Sequence, residues 1–568
     1  MNAKRTLPLW LLAAAAGGLA LRAAFPPFEG QAAAAFLAPV PLFLASRLLA
    51  PRRAALAGFA WGFAFWASAL TWFVPLVGNG GPWPVVLLGE VGLSAWCALF
   101  PALAAAALSR LRAPWRAARA GVAAARERLF DAPDGSPEED AAFDELAALR
   151  RRAALLESAG PVAAALLWAG SEWLRATVGG GFAWYALGAA QLGFPALAQL
   201  AAAGGVFLVS AAVALLADAL AGVALRIFDA VRRAPGGGRR HFDLTVALAL
   251  LLLAFFWGRG RLERVRAWRA DGTRQIALAA VDPDLPCIFS DNEDEIREGY
   301  RRLYGNSFAI LEGSPCDLLV WPETSLEYPL PFAPYEEAIR TNLCARFGTR
   351  LLAGSTLVLH EGPGGEILSP VGNAAWIFSA DGSGEPYLKR HLIPFGEYVP
   401  LDEHIPALQS LSPSGISCTP GPAPRLFEIP LAGGGAPARV SPLICFEDTV
   451  PSVAREAARG ADLLATISND AWFRGSCESD QHHLEASWRA IELGLPVLRV
   501  SNTGGAALVD PAGETIPFAD NGTLWQRLPD EPPRSPYARL GDWPFGIPCA
   551  ALLLVAILPL RRLRKRRS

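Results

Sequence analysis

Apolar residues come in long blocks through the first 258 residues, give way to short runs, and return in one block near the C-terminal end. Stretches at 7–24, 31–49, 54–76, 82–108, 160–175, 196–225, 242–258 and 543–560 approach the roughly 20 residues a helix needs to cross hydrocarbon. Eight transmembrane helices are therefore expected. The seventh has the thinnest support, since only 244–257 is uninterrupted. Lys4 and Arg5 before an Ala-rich run look like the start of a cleaved signal, but further spans follow at once and favour a retained anchor.

From Gln275 the pattern shortens to β-rich runs at 276–281, 317–321, 350–357, 374–379, 439–445 and 462–468, separated by turns. Helical periodicity lies between them at about 292–312, 333–347, 450–459 and 481–493. Strands alternating with helices over some 270 residues indicate a layered α/β domain. The expected organisation is a helical membrane domain over 1–258, an α/β domain over 259–542, and a last span with a basic tail over 543–568.

Charge orients this arrangement. Lys4 and Arg5, then Arg47, Arg52 and Arg53, the arginines of 109–158, Arg226, Arg232, Arg233, Arg239 and Arg240, and the basic run 561–567 all fall on one side of an eight-span chain. Loops around 25–30, 77–81 and 176–195 carry almost no basic residues. By the positive-inside rule both termini are cytoplasmic and the α/β domain lies beyond the membrane. The 109–158 insert, rich in Ala, Arg and Glu with an acidic patch at 138–145, reads as a solvated helical hairpin or partly disordered loop. The glycines of 235–238 make a flexible loop and not a phosphate cradle, since no strand precedes them.

Composition agrees. With 52% hydrophobic and 18% charged residues among 568, and a mean hydropathy of +0.28, the chain is too apolar for an ordinary soluble enzyme. A net charge of −2 favours no nucleic-acid partner. The eight cysteines show no CxxC or Cys/His ligand spacing, so no zinc site is expected. Six of them, Cys287, Cys316, Cys344, Cys418, Cys445 and Cys477, fall in the α/β domain. Some could pair in an oxidising compartment, in a connectivity the sequence does not reveal.

Only three lysines, Lys4, Lys389 and Lys565, occur among 51 basic residues. A chain that otherwise uses arginine keeps a lysine at 389, either as a solvated loop charge or where a compact ammonium is required. Two other polar residues also follow apolar strands directly, at the rim where sites gather. Glu323 lies in Leu318-Leu-Val-Trp-Pro-Glu-Thr, Lys389 in Tyr387-Leu-Lys-Arg-His-Leu-Ile-Pro-Phe-Gly-Glu-Tyr, and Cys445 in Ser441-Pro-Leu-Ile-Cys-Phe-Glu-Asp. Acyl transfer through cysteine needs a nucleophilic sulfur, a group that takes and returns a proton, and fixed positive charge near the oxyanion. Taken singly, Glu323 reads equally well as a helix cap and Cys445 as a structural thiol.

The order Trp-Pro-Glu, Tyr-Leu-Lys with His391-Leu-Ile-Pro-Phe-Gly-Glu-Tyr-Val-Pro-Leu, Ile-Cys-Phe-Glu and Ser468-Asn-Asp-Ala-Trp-Phe resembles the nitrilase superfamily, in the wording of its apolipoprotein N-acyltransferase branch. Arg489-Ala-Ile-Glu-Leu-Gly-Leu-Pro-Val-Leu-Arg, Ser501-Asn-Thr-Gly, Gly58-Phe-Ala-Trp-Gly-Phe, Trp72, Gly80-Gly81, Glu172-Trp-Leu-Arg and Gly181-Phe-Ala-Trp extend the likeness over nearly the whole chain except 109–158. The resemblance implies an αββα sandwich beside about eight membrane helices, with Glu323 as base, Lys389 as electrostatic stabiliser and Cys445 as nucleophile. It also implies supporting roles for Glu397 and Glu447. Two departures stand out: Phe446 replaces the family's usual tyrosine, and Val281-Asp-Pro-Asp-Leu-Pro replaces the usual first-strand ending, with Phe289 a loose substitute for a tryptophan. Phe446, Trp472 and Phe473 are candidate lipid or substrate contacts; core packing serves equally for the last two.

The activity so implied is transfer of an acyl chain from a membrane phospholipid, through a Cys445 thioester, to the N-terminal amine of a diacylglyceryl-modified lipoprotein. It would need no metal or organic cofactor, and the enzyme would work as a monomer in the bacterial inner membrane with its catalytic domain in the periplasm. Two rivals differ in class. A membrane-tethered amidohydrolase would use the same trio with water as acceptor and leaves the spans unexplained. A catalytically dead lipid-binding or transport protein would need intramembrane charge, which is limited mainly to Glu90, Glu172 and Asp218. A cysteine protease pairing Cys445 with His391, His482 or His483 fits poorly with the Glu323 and Lys389 contexts.

Overall fold

A computed structural model describes residues 7–28, 31–231, 241–271, 274–285, 293–330, 336–363, 367–368, 370–402, 404–405, 408, 417–518, 523–528 and 532–558. Lys4, Arg5, the loop 235–238 with its flanking arginines 232, 233, 239 and 240, Cys287, Phe289 and the basic tail 561–567 lie outside them. The chain divides into two compact units, one of residues 1–71, 90–259 and 542–568, the other of 72–89 and 260–541. Trp72–Gly89 thus groups with the α/β unit, whereas a contiguous 1–258 membrane domain was expected. Among the contacts of this segment, the Trp72 and Phe473 rings meet edge to face at 5.0 Å, and Asn79 Nδ2 donates to the Trp472 carbonyl at 2.7 Å.

Each of the eight apolar blocks carries a helix, but the helices differ in length. Leu7–Ala24, Trp83–Leu111, Pro137–Arg175, Val206–Val231 and Phe242–Ala270 are long and apolar enough to cross a membrane. Pro51–Ala69 with Thr71–Val77, bent by 44°, adds a sixth if the pair counts as one span, while Ala34–Leu48 and Gly546–Ile557 are shorter. The helix predicted to be weakest runs unbroken over Phe242–Asp271.

Without a hydrophobic driving force between helices in lipid, close approach and polar pairing hold such a unit together. A methyl on Gly58 would meet the Pro101 carbonyl oxygen at 2.6 Å, so this crossing requires a glycine. Asp218, fully buried, pairs with Arg47 at 2.7 Å and with Arg112, and Arg226 pairs with Asp243 at 2.9 Å and Glu157 at 2.6 Å. The 109–158 insert is helical, with Ala113–Asp131 and Pro137–Ser158 packed through Val122, Ala125 and Leu146. The Ser136 hydroxyl caps the second of these by accepting from the Glu139 amide.

In the α/β unit, strands β1 (Arg274–Ala280), β2 (Leu318–Val320), β3 (Leu326–Leu330) and β4 (Arg350–Leu357) come first. A hairpin of β5 (His360–Glu361) and β6 (Ile367–Leu368) follows, then β7 (Gly372–Ser379), β8 (Gly382–Ser383) and β9 (Tyr387–Leu388). The second sheet holds β10 (Phe427–Ile429), β11 (Ala438–Ile444), β12 (Leu463–Ser468), β13 (Val497–Ser501), β14 (Ala506–Val509) and β15 (Thr515–Pro517), in that order. The last strand, β16 (Thr523–Leu528), returns to the first sheet antiparallel to β1, giving the order β16-β1-β2-β4-β7-β8, with β3 beside β4 and β9 beside β7. The centre of each sheet is parallel, β1-β2-β4 in one and β11-β12-β13 in the other.

The twofold side-chain period of a strand sorts residues between layers. On β1, Ile276 and Leu278 face a core shared with Val440, Ile444, Leu463 and Ile467 of the second sheet. Ala277 and Ala279 face a different core, with Leu303, Ile310 and Leu311 of helix Glu293–Gly313. On the second sheet Leu443, Leu464 and Val497 pack against Ala454, Ala457, Ala486 and Ala490 of two further helices. The unit is therefore a helix–sheet–sheet–helix sandwich, with strands apolar on both faces because both are covered. Leu278→Ala, which empties space between the sheets, should lower stability by about 2–5 kcal/mol, read as a lowered thermal midpoint of the detergent-solubilised chain.

Candidate active site

Three loops deliver the predicted residues to one place. Glu323 follows β2, Lys389 follows β9 and Cys445 follows β11, each just beyond the C-terminal end of its strand; Glu397 lies further along the loop that carries Lys389. The Lys389 ammonium is buried, with 1% exposure. It donates to Glu397 Oε1 at 2.9 Å and lies 3.7 Å from Glu323 Oε1. Asn373, at the start of the first sheet's β7, donates through Nδ2 to both glutamates at 2.8 Å. The second oxygen of Glu397 accepts from the Ile393 amide. Two carboxylates thus share one cation and one amide group.

The backbone is shaped to bring these groups together. Thr324, Phe395 and Cys445 all have positive φ, near 50°, 63° and 50°, a conformation that side-chain-bearing residues adopt at a cost and that clusters at functional sites. A Cβ on Gly354 would meet the Glu323 Cα at 2.6 Å, so β4 passes the Glu323 loop at a distance only glycine permits. Thr324 Oγ1 accepts from Asn469 Nδ2 at 3.0 Å, which ties this loop to the end of β12.

Glu447 does something other than face the sulfur. Its fully buried carboxylate accepts from the Tyr387 hydroxyl at 2.8 Å, the Arg390 amide at 2.7 Å, the His391 amide at 3.2 Å and the Ile444 amide at 2.9 Å. It clips the lysine loop to the turn Cys445–Thr449. Phe446 stacks on the His391 ring at a centroid distance of 5.9 Å. Trp472 and Phe473 are half-buried and meet the 72–89 segment through the contacts given above.

Burial decides the protonation states. It raises Glu323 above the usual carboxylate range; Lys389 opposes the rise and Glu397 adds to it. Burial alone would discharge Lys389, but Glu397 and Glu323 reverse this and hold it charged well above its ordinary value. Burial, followed by Glu323, pushes the Cys445 thiol well up, while Lys389 pulls it down. The resting sulfur is therefore a protonated thiol beside a carboxylate with raised proton affinity. Such a pair can move a proton when the sulfur attacks.

Sequence reasoning did not single out Asn373, Tyr387 or Ser468. A strand-disfavoured asparagine directly before the apolar run 374–379 was the available signal for Asn373. No disulfide joins the described cysteines.

Residues 266–526 match the family model for carbon-nitrogen hydrolases, and 17–131 with 141–219 match the model for the apolipoprotein N-acyltransferase N-terminal domain. Sandwich and site thus define an enzyme unit of the carbon-nitrogen hydrolase class, joined in one chain to a set of apolar membrane helices. An apolipoprotein N-acyltransferase from Azotobacter vinelandii is 32% identical over 571 residues, covering 99% of this chain and 97% of that one. Another from Pseudomonas syringae pv. tomato is 30% identical over 570 residues, covering 98% of each. The chain belongs to the apolipoprotein N-acyltransferase family.

The charge arrangement makes a prediction independent of activity. Glu323→Gln removes a negative charge that keeps the thiol protonated, so alkylation of Cys445 by iodoacetamide at about pH 8 should accelerate roughly tenfold. Peptide mass spectrometry after timed labelling measures it, and an unchanged or slower rate would contradict the assigned cause.

Proposed function

We propose that the chain transfers an acyl group from a membrane phospholipid to the N-terminal amine of a diacylglyceryl-modified cysteine on lipoproteins, through a thioester on Cys445. The observation that carries this reading is the buried Lys389 ammonium held between Glu323 and Glu397 next to the cysteine sulfur. In the first step the sulfur attacks the ester carbonyl, Glu323 takes the thiol proton, and the proton passes to the leaving glycerol oxygen as lysophospholipid departs. In the second the amine attacks the thioester, its proton moves to Glu323, and the thiol re-forms as the amide leaves. Lys389 faces the developing oxyanion in both steps and keeps Glu323 from being discharged too early.

Glu397 and Asn373 are read as positioning groups that fix the ammonium and the base relative to each other. Glu447 acts one step further out, by holding the loop of Lys389 against the nucleophile turn. Phe446, Trp472 and Phe473 are read as contacts for acyl chains or acceptor. The acyl ester and the lipoprotein anchor both belong to a bilayer, so the apolar helices keep enzyme and substrates in one plane and cut the entropic cost of their meeting. The arginine distribution supports eight spans with both termini in the cytoplasm of a bacterium and the α/β domain on the periplasmic face. The enzyme acts as a monomer in this reading, since one chain supplies every group the two steps require.

An amide hydrolase would use the same trio with water in the second step. Incubating the purified chain with acyl-labelled phospholipid separates the two readings. A label retained on Cys445 and passed to an added diacylglyceryl-cysteine peptide is expected. Cys445→Ala should retain none, and Glu397→Gln should slow labelling by roughly 10²–10³-fold. Transfer that persists in Cys445→Ala, or a label released only as free fatty acid, would reject the transferase.

A further inference from the structure

A second group of buried charges adjoins the nucleophile and takes no part in the steps above. Ser468, the last residue of β12, donates to Asp470 Oδ1 at 2.5 Å. That same oxygen lies 3.2 Å from Nδ1 of His482, on helix Glu478–Leu493. The other ring nitrogen, Nε2, lies 2.9 Å from Oδ1 of Asp448, three residues after the nucleophile on the turn Cys445–Thr449. Ser468, Asp470, His482 and Asp448 are all at most 2% exposed.

Two carboxylates therefore face the two nitrogens of one imidazole. A neutral ring has a single N–H and can donate to only one of them, so the arrangement calls for the doubly protonated cation. The charged groups facing His482 come from several elements. Asp448 comes from the nucleophile turn and Asp470 from the turn Asp470–Phe473. Glu478, one turn earlier on the same helix, has Oε1 3.7 Å from Nδ1, and Arg499 of β13 pairs with Asp470. Arg489 donates to the backbone carbonyls of Asp448 and Thr449. Burial pushes Glu478 well up, leaving a neutral acid. Burial would discharge His482, but Asp448 and Asp470 hold it charged well above the usual imidazole value. The group then balances: two aspartates against one guanidinium and one imidazolium.

Asp470, Glu478 and His482 also offer ligand-type atoms within 4.8 Å of one another. Arg499 on Asp470 already supplies the positive charge a cation would bring.

We propose that His482 is a positioning residue for the nucleophile: bridging Asp448 and Asp470, its imidazolium locks the turn that carries Cys445 to the strand end that carries Ser468, and offsets the negative charge facing the sulfur. It rests on the reading of Cys445 as nucleophile. Loss of the bridge frees the turn from the end of β12 and leaves Asp470 less neutralised, and the added negative charge disfavours the thiolate.

The test uses the full chain in detergent micelles, measuring iodoacetamide alkylation of Cys445 against pH and thioester formation from labelled phosphatidylethanolamine. His482→Gln, which can donate to only one of the two aspartates, should move the alkylation profile to higher pH by about one unit and slow thioester formation roughly tenfold. A folded His482→Gln chain whose profile coincides with wild type overturns the proposal. Should that variant not fold, 15N chemical shifts of the His482 ring in the wild-type chain at about pH 8 decide, because the bridge needs a hydrogen on each nitrogen. Two protonated nitrogens are expected, and a ring with one bare nitrogen overturns the proposal. Wild-type enzyme that still transfers acyl groups after complete alkylation of Cys445 would reject the nucleophile role separately.

Discussion

One ammonium, removed from water and held between two carboxylates, sets the terms for the α/β unit. A buried lysine without partners would lose its proton, and a buried glutamate pair without a cation would lose one of its charges. Lys389, Glu323 and Glu397 are therefore tolerable inside the protein only together, and only if the loops that carry them meet to within a few tenths of an ångström. Much of the surrounding structure reads as the means to that end. Asn373 spans the two glutamates, Gly354 lets β4 pass close to Glu323, and Glu447 bonds Tyr387, the lysine loop and the Cys445 turn. Three residues with positive φ, Thr324, Phe395 and Cys445, sit in those same loops.

The sandwich explains how such loops can be held. Parallel strands at the centre of both sheets end at one rim, and the core between the sheets, with Ile276, Leu278, Ile444 and Ile467, fixes β1, β11 and β12 relative to one another. Glu323 emerges from one sheet and Cys445 from the other, so the site depends on how the two sheets face each other. That is why a residue such as Glu447, which belongs to the second sheet but bonds the loop of the first, has leverage out of proportion to its distance from the sulfur.

Much of this was legible in the chain before any coordinates. Runs of buried strand followed at once by Glu323 and Cys445 marked a rim, and one of only three lysines in an arginine-rich sequence marked the buried cation. Illegible were relations between distant segments. That β16 returns to β1 is a pairing across some 250 residues, and no local periodicity encodes it. That Trp72–Gly89 groups with the α/β unit involves contacts with 472–473, some 400 residues away, among them a ring pair and a hydrogen bond. Glu447 was expected in a supporting role that could not be specified, because a glutamate two residues past Cys445 carries no sign of which way its side chain turns. His482 was weighed only as a catalytic partner, yet both its nitrogens are taken by aspartates.

A transferase of this kind must also keep water from finishing the reaction, and the protonation states bear on that. A thioester waiting for an amine is lost whenever a base activates water beside it. Glu323 is the only group in the trio able to act as that base, and it is 7% exposed, so few waters reach it. Its raised proton affinity matters in a second way. A lipoprotein amine arrives largely as an ammonium at neutral pH, and a carboxylate that binds protons more firmly than usual is better suited to relieve it of one. In this reading the same burial that keeps the thiol protonated at rest also favours amine over water once the acyl group is on the sulfur. Lipid-anchored acceptors strengthen the bias, because confinement to the bilayer raises their concentration near the site while leaving that of water unchanged.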